Sequence, residues 1–501
     1  MDNARRLLSS FLALLLIASV LPFSSHAIGA SLLDLDPEGG YDGEYVIILN
    51  TNFPGEERLA TGELKGLIDR DVPLFSYDGG FRRTEAPYRA RKTPDLFTAG
   101  LSASNGYDLS GGDAWVKGFV RPFVLMDDME DQTRRDILAM RVEHVGRHVR
   151  VWAPVNPAYI PPEAEACAQL GAWFDGIYPL AVETFGPVAD PRGDGKVNLL
   201  MLDLVPPGLG GYVAPTDLFG KETLELSTGN FLPIIYIDTK GYAEAMAALG
   251  LPGEPGIEAR RKVLITHELQ HLIHLSSAYH LWVEDPEALR FITDPEDGTR
   301  LAWMEELLSA AAVQLLVPDE AAYSEIPQWY DLKTTRTDAE QFFAQHDDAR
   351  TNSRYPLHRG ASLFRWAGYA DNYAFAHLLA KFILRQGGVD ALAEAVKLWQ
   401  EQEMDEDVPE PALFVAQALG YQDFNAFFQD LALYLLVPGN TGDADLDRWL
   451  KPPITIGSQL YLEPGGFAVI KPLGGKYAPP ATAAEGLTYI GVTLAPEENT
   501  N

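Results

Sequence analysis

His267-Glu268-Leu269-Gln270-His271 reads H-E-x-x-H, and this stretch constrains the chain more than any other. Residues four apart on a helix share a face, so both imidazoles can grip one zinc ion. Glu268 follows the first histidine and comes close enough to touch a water on that ion. Ile265, Leu269, Leu272 and Ile273 fall on the opposite side. The spacing therefore predicts a helix with one face for the core and one for zinc-dependent hydrolysis. The competing reading is an ordinary amphipathic helix that happens to carry two histidines. A third ligand elsewhere in the chain would separate the two.

A chain of 501 residues exceeds one ordinary domain and can bury a sizeable core. Its 47% hydrophobic and 22% charged residues suit a globular protein rather than a disordered one. Acidic residues outnumber basic ones 71 to 39, giving a formal charge of −32. Such a field repels phosphate backbones and argues against a nucleic-acid partner. Arg5 and Arg6, an apolar run over 7–23, and then Ser25-His26-Ala27 form a signal-peptide pattern, which predicts a secreted or periplasmic protein. The run is short for a membrane span and Pro22 interrupts it, so no stable span is expected once residues 1–27 are removed. Cys167 is the only cysteine; it has no partner and reads as a small buried hydrophobe in a helix over 163–185.

The element pattern is α+β. Residues 28–158 read as β-rich, with β-branched or aromatic runs at 45–49, 115–126 and 142–152 between Gly, Pro, Asp and Asn clusters. This stretch is either a removable pro-region or a permanent domain. Residues 62–113 within it are turn-rich and match no element. Residues 159–440 read as a second unit. It begins with the helix at 163–185, strands at 197–203 and 233–238, and the H-E-x-x-H helix. Helices at 301–316, 374–386, 391–402, 411–419 and 424–436 follow. Residues 441–501 return to short β segments.

A catalytic zinc needs a third protein ligand and an open position for water. Continuing the same helix as H-x-x-G-x-x-H fails, because His274 stands at the glycine position and Ser277 at the last ligand position. A carboxylate from a later helix suits the chain better. Glu305 and Glu306 interrupt a helix otherwise dominated by Leu, Ala, Trp, Met and Val. Burying a carboxylate there is costly unless a cation compensates it. Either glutamate meets that requirement; the competing reading is a narrow solvated stripe.

Trp303-Met304-Glu305-Glu306-Leu307-Leu308-Ser309, downstream of the H-E-x-x-H, resembles the gluzincin pattern H-E-x-x-H … W-L-N-E-G-L-S. Further segments resemble the hyicolysin-type neutral zinc metallopeptidases, in the expected order. They are Phe174-Asp-Gly-Ile-Tyr-Pro-Leu, Gly195-Lys-Val-Asn-Leu-Leu-Met-Leu-Asp203, Gly210-Gly-Tyr-Val-Ala-Pro-Thr-Asp217-Leu, Ile235-Tyr-Ile-Asp238-Thr and Asn372-Tyr373-Ala-Phe-Ala. The resemblance covers about residues 163–435. It implies a secreted zinc endopeptidase acting on proteins or peptides. The implied fold is a thermolysin-like core of mixed sheet plus helical subdomain, flanked by an N-terminal β-rich domain and a C-terminal β segment. Residue by residue it implies His267, His271 and Glu306 as ligands of one catalytic zinc and Glu268 as general base. The sequence departs from the pattern at Glu305, Leu307 and Ala310, where the family usually has Asn, Gly and often an acid. Glu305 then either supplies the missing supporting carboxylate or is itself the ligand.

Under this reading Glu268 takes the proton of the attacking water and hands a proton to the leaving amine. The developing oxyanion needs a donor besides zinc, and Tyr373, His274 and His280 are the candidates. His274 lies one turn beyond His271 on the same stripe; a plain hydrogen-bonded helix histidine is the leading reading there, and a cleft-lining one the alternative. Asp190, Asp194, Gly195 and Asn198 form an oxygen-rich turn that suggests calcium, although Arg192 at the third loop position and a missing twelfth-position Glu depart from the EF-hand loop. An ordinary Gly-Asp turn is the competing reading. A different class of function is a secreted binding or surface protein with a degenerate, inactive peptidase core.

Overall fold

The runs Tyr45–Asn50, Val149–Pro154, Val197–Leu202 and Ile234–Asp238 are mostly apolar and buried on both faces, and they form the inner strands of this chain. A computed structural model describes residues 30–35, 41–52, 59–60, 115–126, 135–156, 162–204, 210–218, 230–239, 257–277, 279, 295–318, 359–364, 370–402, 411–437, 461–470, 477–480, 484 and 486–494. The signal-peptide pattern, the turn-rich 62–113 and His280 lie outside them. The described chain is α+β, with helices and mixed sheets.

In chain order the first strands are β1 (Ala30–Asp34), β2 (Tyr45–Asn50) and β3 (Leu59–Ala60). Next come β4 (Val120–Met126), β5 (Arg135–Val145) and β6 (Val149–Pro154). The helix α1 (Ala164–Phe185) leads to β7 (Val197–Leu202), β8 (Gly211–Tyr212) and β9 (Ile234–Asp238). The order in the resulting sheet is β4-β5-β6-β7-β9-β8, with β6, β7 and β9 parallel and β8 antiparallel at the edge. Parallel pairing of β6 with β7 requires a crossover, and α1 supplies it. Its Cys167, Leu170, Phe174 and Phe185 share a core with Val149, Val151, Val197 and Leu199 of the strands. Burial pushes the Cys167 thiol up to about 11, so it packs as a neutral group.

The run expected at 142–152 is a hairpin. β5 and β6 pair antiparallel across 146–148, where Asp175 of α1 accepts hydrogen bonds from the backbone N–H of Arg147 and His148. Trp115, expected at a strand start, precedes β4. The boundary expected at 158/159 falls between β6 and β7, which are hydrogen-bonded neighbours in one sheet.

The remaining helices are α2 (Ile257–Ser277), α3 (Pro295–Leu316), α4 (Ala370–Gln402), α5 (Ala412–Ala418) and α6 (Phe424–Leu436). Strand β10 (Arg359–Ser362) precedes α4, and β11 (Tyr461–Leu462), β12 (Gly466–Ile470) and β13 (Leu487–Leu494) follow α6. The helix α3 begins at a proline, which suits a first helical position, and so starts six residues before the expected 301. Gly388, at φ 67° and ψ −161°, divides α4 into two helical segments, as the spacing of its apolar residues anticipates.

A second sheet runs β1-β13-β2-β12-β10, so the N-terminal β2 is sandwiched between two C-terminal strands. Its inward residues Tyr45, Ile47 and Leu49 pack in one core with Trp303 and Met304 of α3 and Phe427 and Phe428 of α6. The Tyr45 hydroxyl donates to the Leu436 carbonyl at 3.2 Å. Among the described residues, no helix is long and apolar enough to cross a membrane.

Candidate metal centre

The helix α2 buries Ile265, Leu269, Leu272 and Ile273, leaving His267 and His271 on the opposite face. Across from them, α3 buries Trp303, Met304, Leu307 and Leu308 and offers Glu305 and Glu306. Ring nitrogens Nε2 of His267 and His271 lie 3.1 Å apart. Glu306 Oε2 lies 3.1 Å from the first and 3.8 Å from the second. At a tetrahedral zinc with bonds of about 2.05 Å, ligand atoms sit about 3.3 Å apart. Glu306 Oε2 is buried and receives no hydrogen bond, although it faces both nitrogens. An oxygen placed so is costly for folding and useful for holding a cation. Burial, only partly opposed by Glu306, pulls the His271 imidazole down to about 4. Neutral imidazole is the form that ligates. Among the described residues, His267, His271 and Glu306 are the group able to hold a metal.

Glu305 turns the other way. Its Oε1 is 3.3 Å from His274 Nε2 and its Oε2 is 3.9 Å from His271 Nδ1. Burial works against its charge, but His274 and His271 hold the carboxyl below the usual range. His274 is not a cleft residue: it is 1% exposed and stacks on Trp399 of α4 with ring centroids 6.1 Å apart. Tyr373, in the first turn of α4, does reach the site, its ring 6.4 Å from that of His267.

Two neighbours have no signal in the H-E-x-x-H motif. Ser309 is fully buried, donates to Gln270 Oε1 at 2.6 Å, and places its hydroxyl 3.2 Å from His271 Nδ1. His377, one turn after Tyr373, is buried with Gln314 Nε2 3.1 Å from its Nδ1. Burial, aided by His267, lowers it to about 3, so it stays neutral.

The facing wall is the edge strand β8. Gly211, Tyr212, Val213 and Pro215 close a cleft of about 340 Å³ against His267, Glu268, Glu306 and Tyr373. Glycine is needed at 211, because a Cβ there would lie 2.9 Å from the Tyr236 carbonyl and 3.1 Å from Glu268 Cγ. Glu268 is 7% exposed; burial pushes its carboxyl up to about 7, with Glu306 adding and His267 opposing. A carboxyl poised there can both take and return a proton near neutrality.

In the Asp190 turn the carboxylates have other work. Asp190 accepts from the backbone N–H of Gly193 and Gly195, both glycines at positive φ. Asp194 Oδ2 receives Arg150 at 2.8 Å, and Asn198 Oδ1 receives Trp152 Nε1 at 3.0 Å.

The fold and this cluster describe a protein able to hold a metal between two helices beside a sheet edge. No family model matches the sequence. The chain is similar to the neutral metalloprotease ShpI of Staphylococcus hyicus, at 23% identity over 331 residues. That alignment takes in 63% of this chain and 60% of the relative's length.

Proposed function

We propose that this chain is a zinc-dependent endopeptidase with a thermolysin-like core, in which His267, His271 and Glu306 hold the metal. The observation that carries this reading is the convergence of two Nε2 atoms and an otherwise unbonded Glu306 oxygen at zinc-ligand spacing, beside a buried Glu268. The likeness to a named metalloprotease supports it. Held by His267, His271 and Glu306, a zinc ion would lower the pKa of a water to ~7 and would polarise a carbonyl. Glu268 is the base that takes the proton from the attacking water and returns one to the departing amine nitrogen. Tyr373 is the donor for the oxyanion that develops on the scissile carbonyl. The edge strand β8 offers an extended peptide backbone a place to pair along the cleft. Glu305 and Ser309 support His271 in place of the acid missing at Ala310. The signal-peptide pattern of residues 1–27 supports an activity outside the cytoplasm.

Stripping the purified protein with a chelator and adding back zinc tests this. One equivalent of zinc should bind and restore cleavage of denatured casein. Tight zinc binding with no cleavage of any denatured protein would instead indicate a binding protein on an inactive peptidase core.

A further inference from the structure

We propose that three arginines gathered on Trp115 form a binding site for a small oxyanion, outside the residues that line the cleft. Trp115 is 4% exposed. The guanidinium carbons of Arg192, Arg121 and Arg150 lie 4.3, 4.9 and 5.1 Å from its ring centroid. They come from the turn after α1, from β4 and from β6. Arg121 and Arg150 are buried, at 6% and 3% exposed, while Arg192 is half-buried.

Each cation is attracted to the ring, but three cations on one ring repel one another. Burial lowers Arg121 to about 10, and the neighbouring charge of Arg192 adds to the effect. Arginine does not escape by losing its proton near neutrality, so the charge needs a partner. Asp194 provides one carboxylate, 2.8 Å from Arg150 Nη1. Asp190 is committed to the Gly193 and Gly195 amides. Asp217, whose charge is felt at Arg121, is held by Tyr236 at 2.7 Å and Asn230 at 2.6 Å. Lys196 is turned away, donating to the Gly146 and Arg147 carbonyls.

Donor geometry agrees with the charge count. Arg121 Nη1, Arg150 Nε and Arg192 Nε are all buried without a hydrogen-bond partner. Buried charged donors left unpaired are costly, and an oxyanion is the acceptor that satisfies guanidinium forks while neutralising them. A chain of net charge −32 otherwise disfavours anions, so a specific anion response would report this cluster.

Thermal unfolding in inorganic phosphate, against sodium chloride at matched ionic strength, tests the site. Phosphate should raise Tm over chloride in a saturating, concentration-dependent way, because it binds the folded chain alone. Isothermal titration with phosphate should give a single site per chain. Arg192→Met sits in a surface turn; it should keep its Tm in chloride within a few degrees and lose the phosphate shift. Equal Tm in phosphate and chloride for the parent, or an undiminished shift in R192M, would overturn the proposal.

Discussion

Two acidic regions of this chain both suggest a metal when read as sequence, and the structure treats them differently. In the Asp190 turn, each carboxylate already serves a backbone amide or a guanidinium. Between α2 and α3, Glu306 holds a buried oxygen against two imidazoles with no donor on it. Oxygen-rich composition is common to both. What distinguishes the second region is a buried carboxylate oxygen that converges on two imidazole nitrogens and receives no hydrogen bond.

The sharpest way to break this contrast is to exchange the losses. Glu306→Gln or His271→Ala should weaken zinc binding by roughly a hundredfold or more, measured by competition with a chromophoric chelator. Asp194→Asn should leave zinc content unchanged but destabilise the fold, because it strands Arg150. Breaking a buried pair of this kind costs about 3–5 kcal/mol, which urea unfolding would resolve. A D194N protein that loses zinc would erase the distinction.

Smaller effects sharpen it. Glu305→Gln should cost about 10–100-fold in zinc affinity while one equivalent still binds, as expected for a group that supports a ligand. If E305Q abolishes binding and E306Q does not, the two glutamates have the opposite roles.

Asp217 supplies a pH test behind the cleft wall. Burial pushes its carboxyl up to about 7 despite hydrogen bonds from Tyr236 and Asn230. The folded-state value lies above the unfolded one, so its contribution is full below about pH 4 and is lost as pH rises through 7. Stability should therefore fall over that window by on the order of a few kcal/mol, and D217N should flatten the fall. The smallest expected effect is at Gly211. An added methyl would press on the Tyr236 carbonyl and Glu268, costing about 1–3 kcal/mol in stability and raising KM for casein.

Much of the fold was legible because it is local. The α1 and α6 boundaries follow from apolar periodicity and sit within a residue of their expected ends. Both histidines and the two candidate glutamates could be named because a helix fixes which residues share a face. The rest depends on contacts distant in sequence. Sandwiching of β2 between β13 and β12 joins residues more than 400 apart, which no local pattern encodes. Strand β8 has two residues, too few to show any period, yet it forms the cleft wall. His274 lies on the histidine stripe, but Trp399 covers that turn, and helical spacing alone cannot reveal a neighbour. Ser309 is a small polar residue in an apolar helix, and its meaning appears only once His271 and Gln270 are beside it.

The most direct test of the catalytic reading is the rate of casein cleavage by the zinc-loaded protein and by its Glu268→Gln variant. Equal zinc in both, with cleavage only in the parent, is the expected result. Undiminished cleavage by E268Q would contradict Glu268 as the base and, with it, the proposed mechanism.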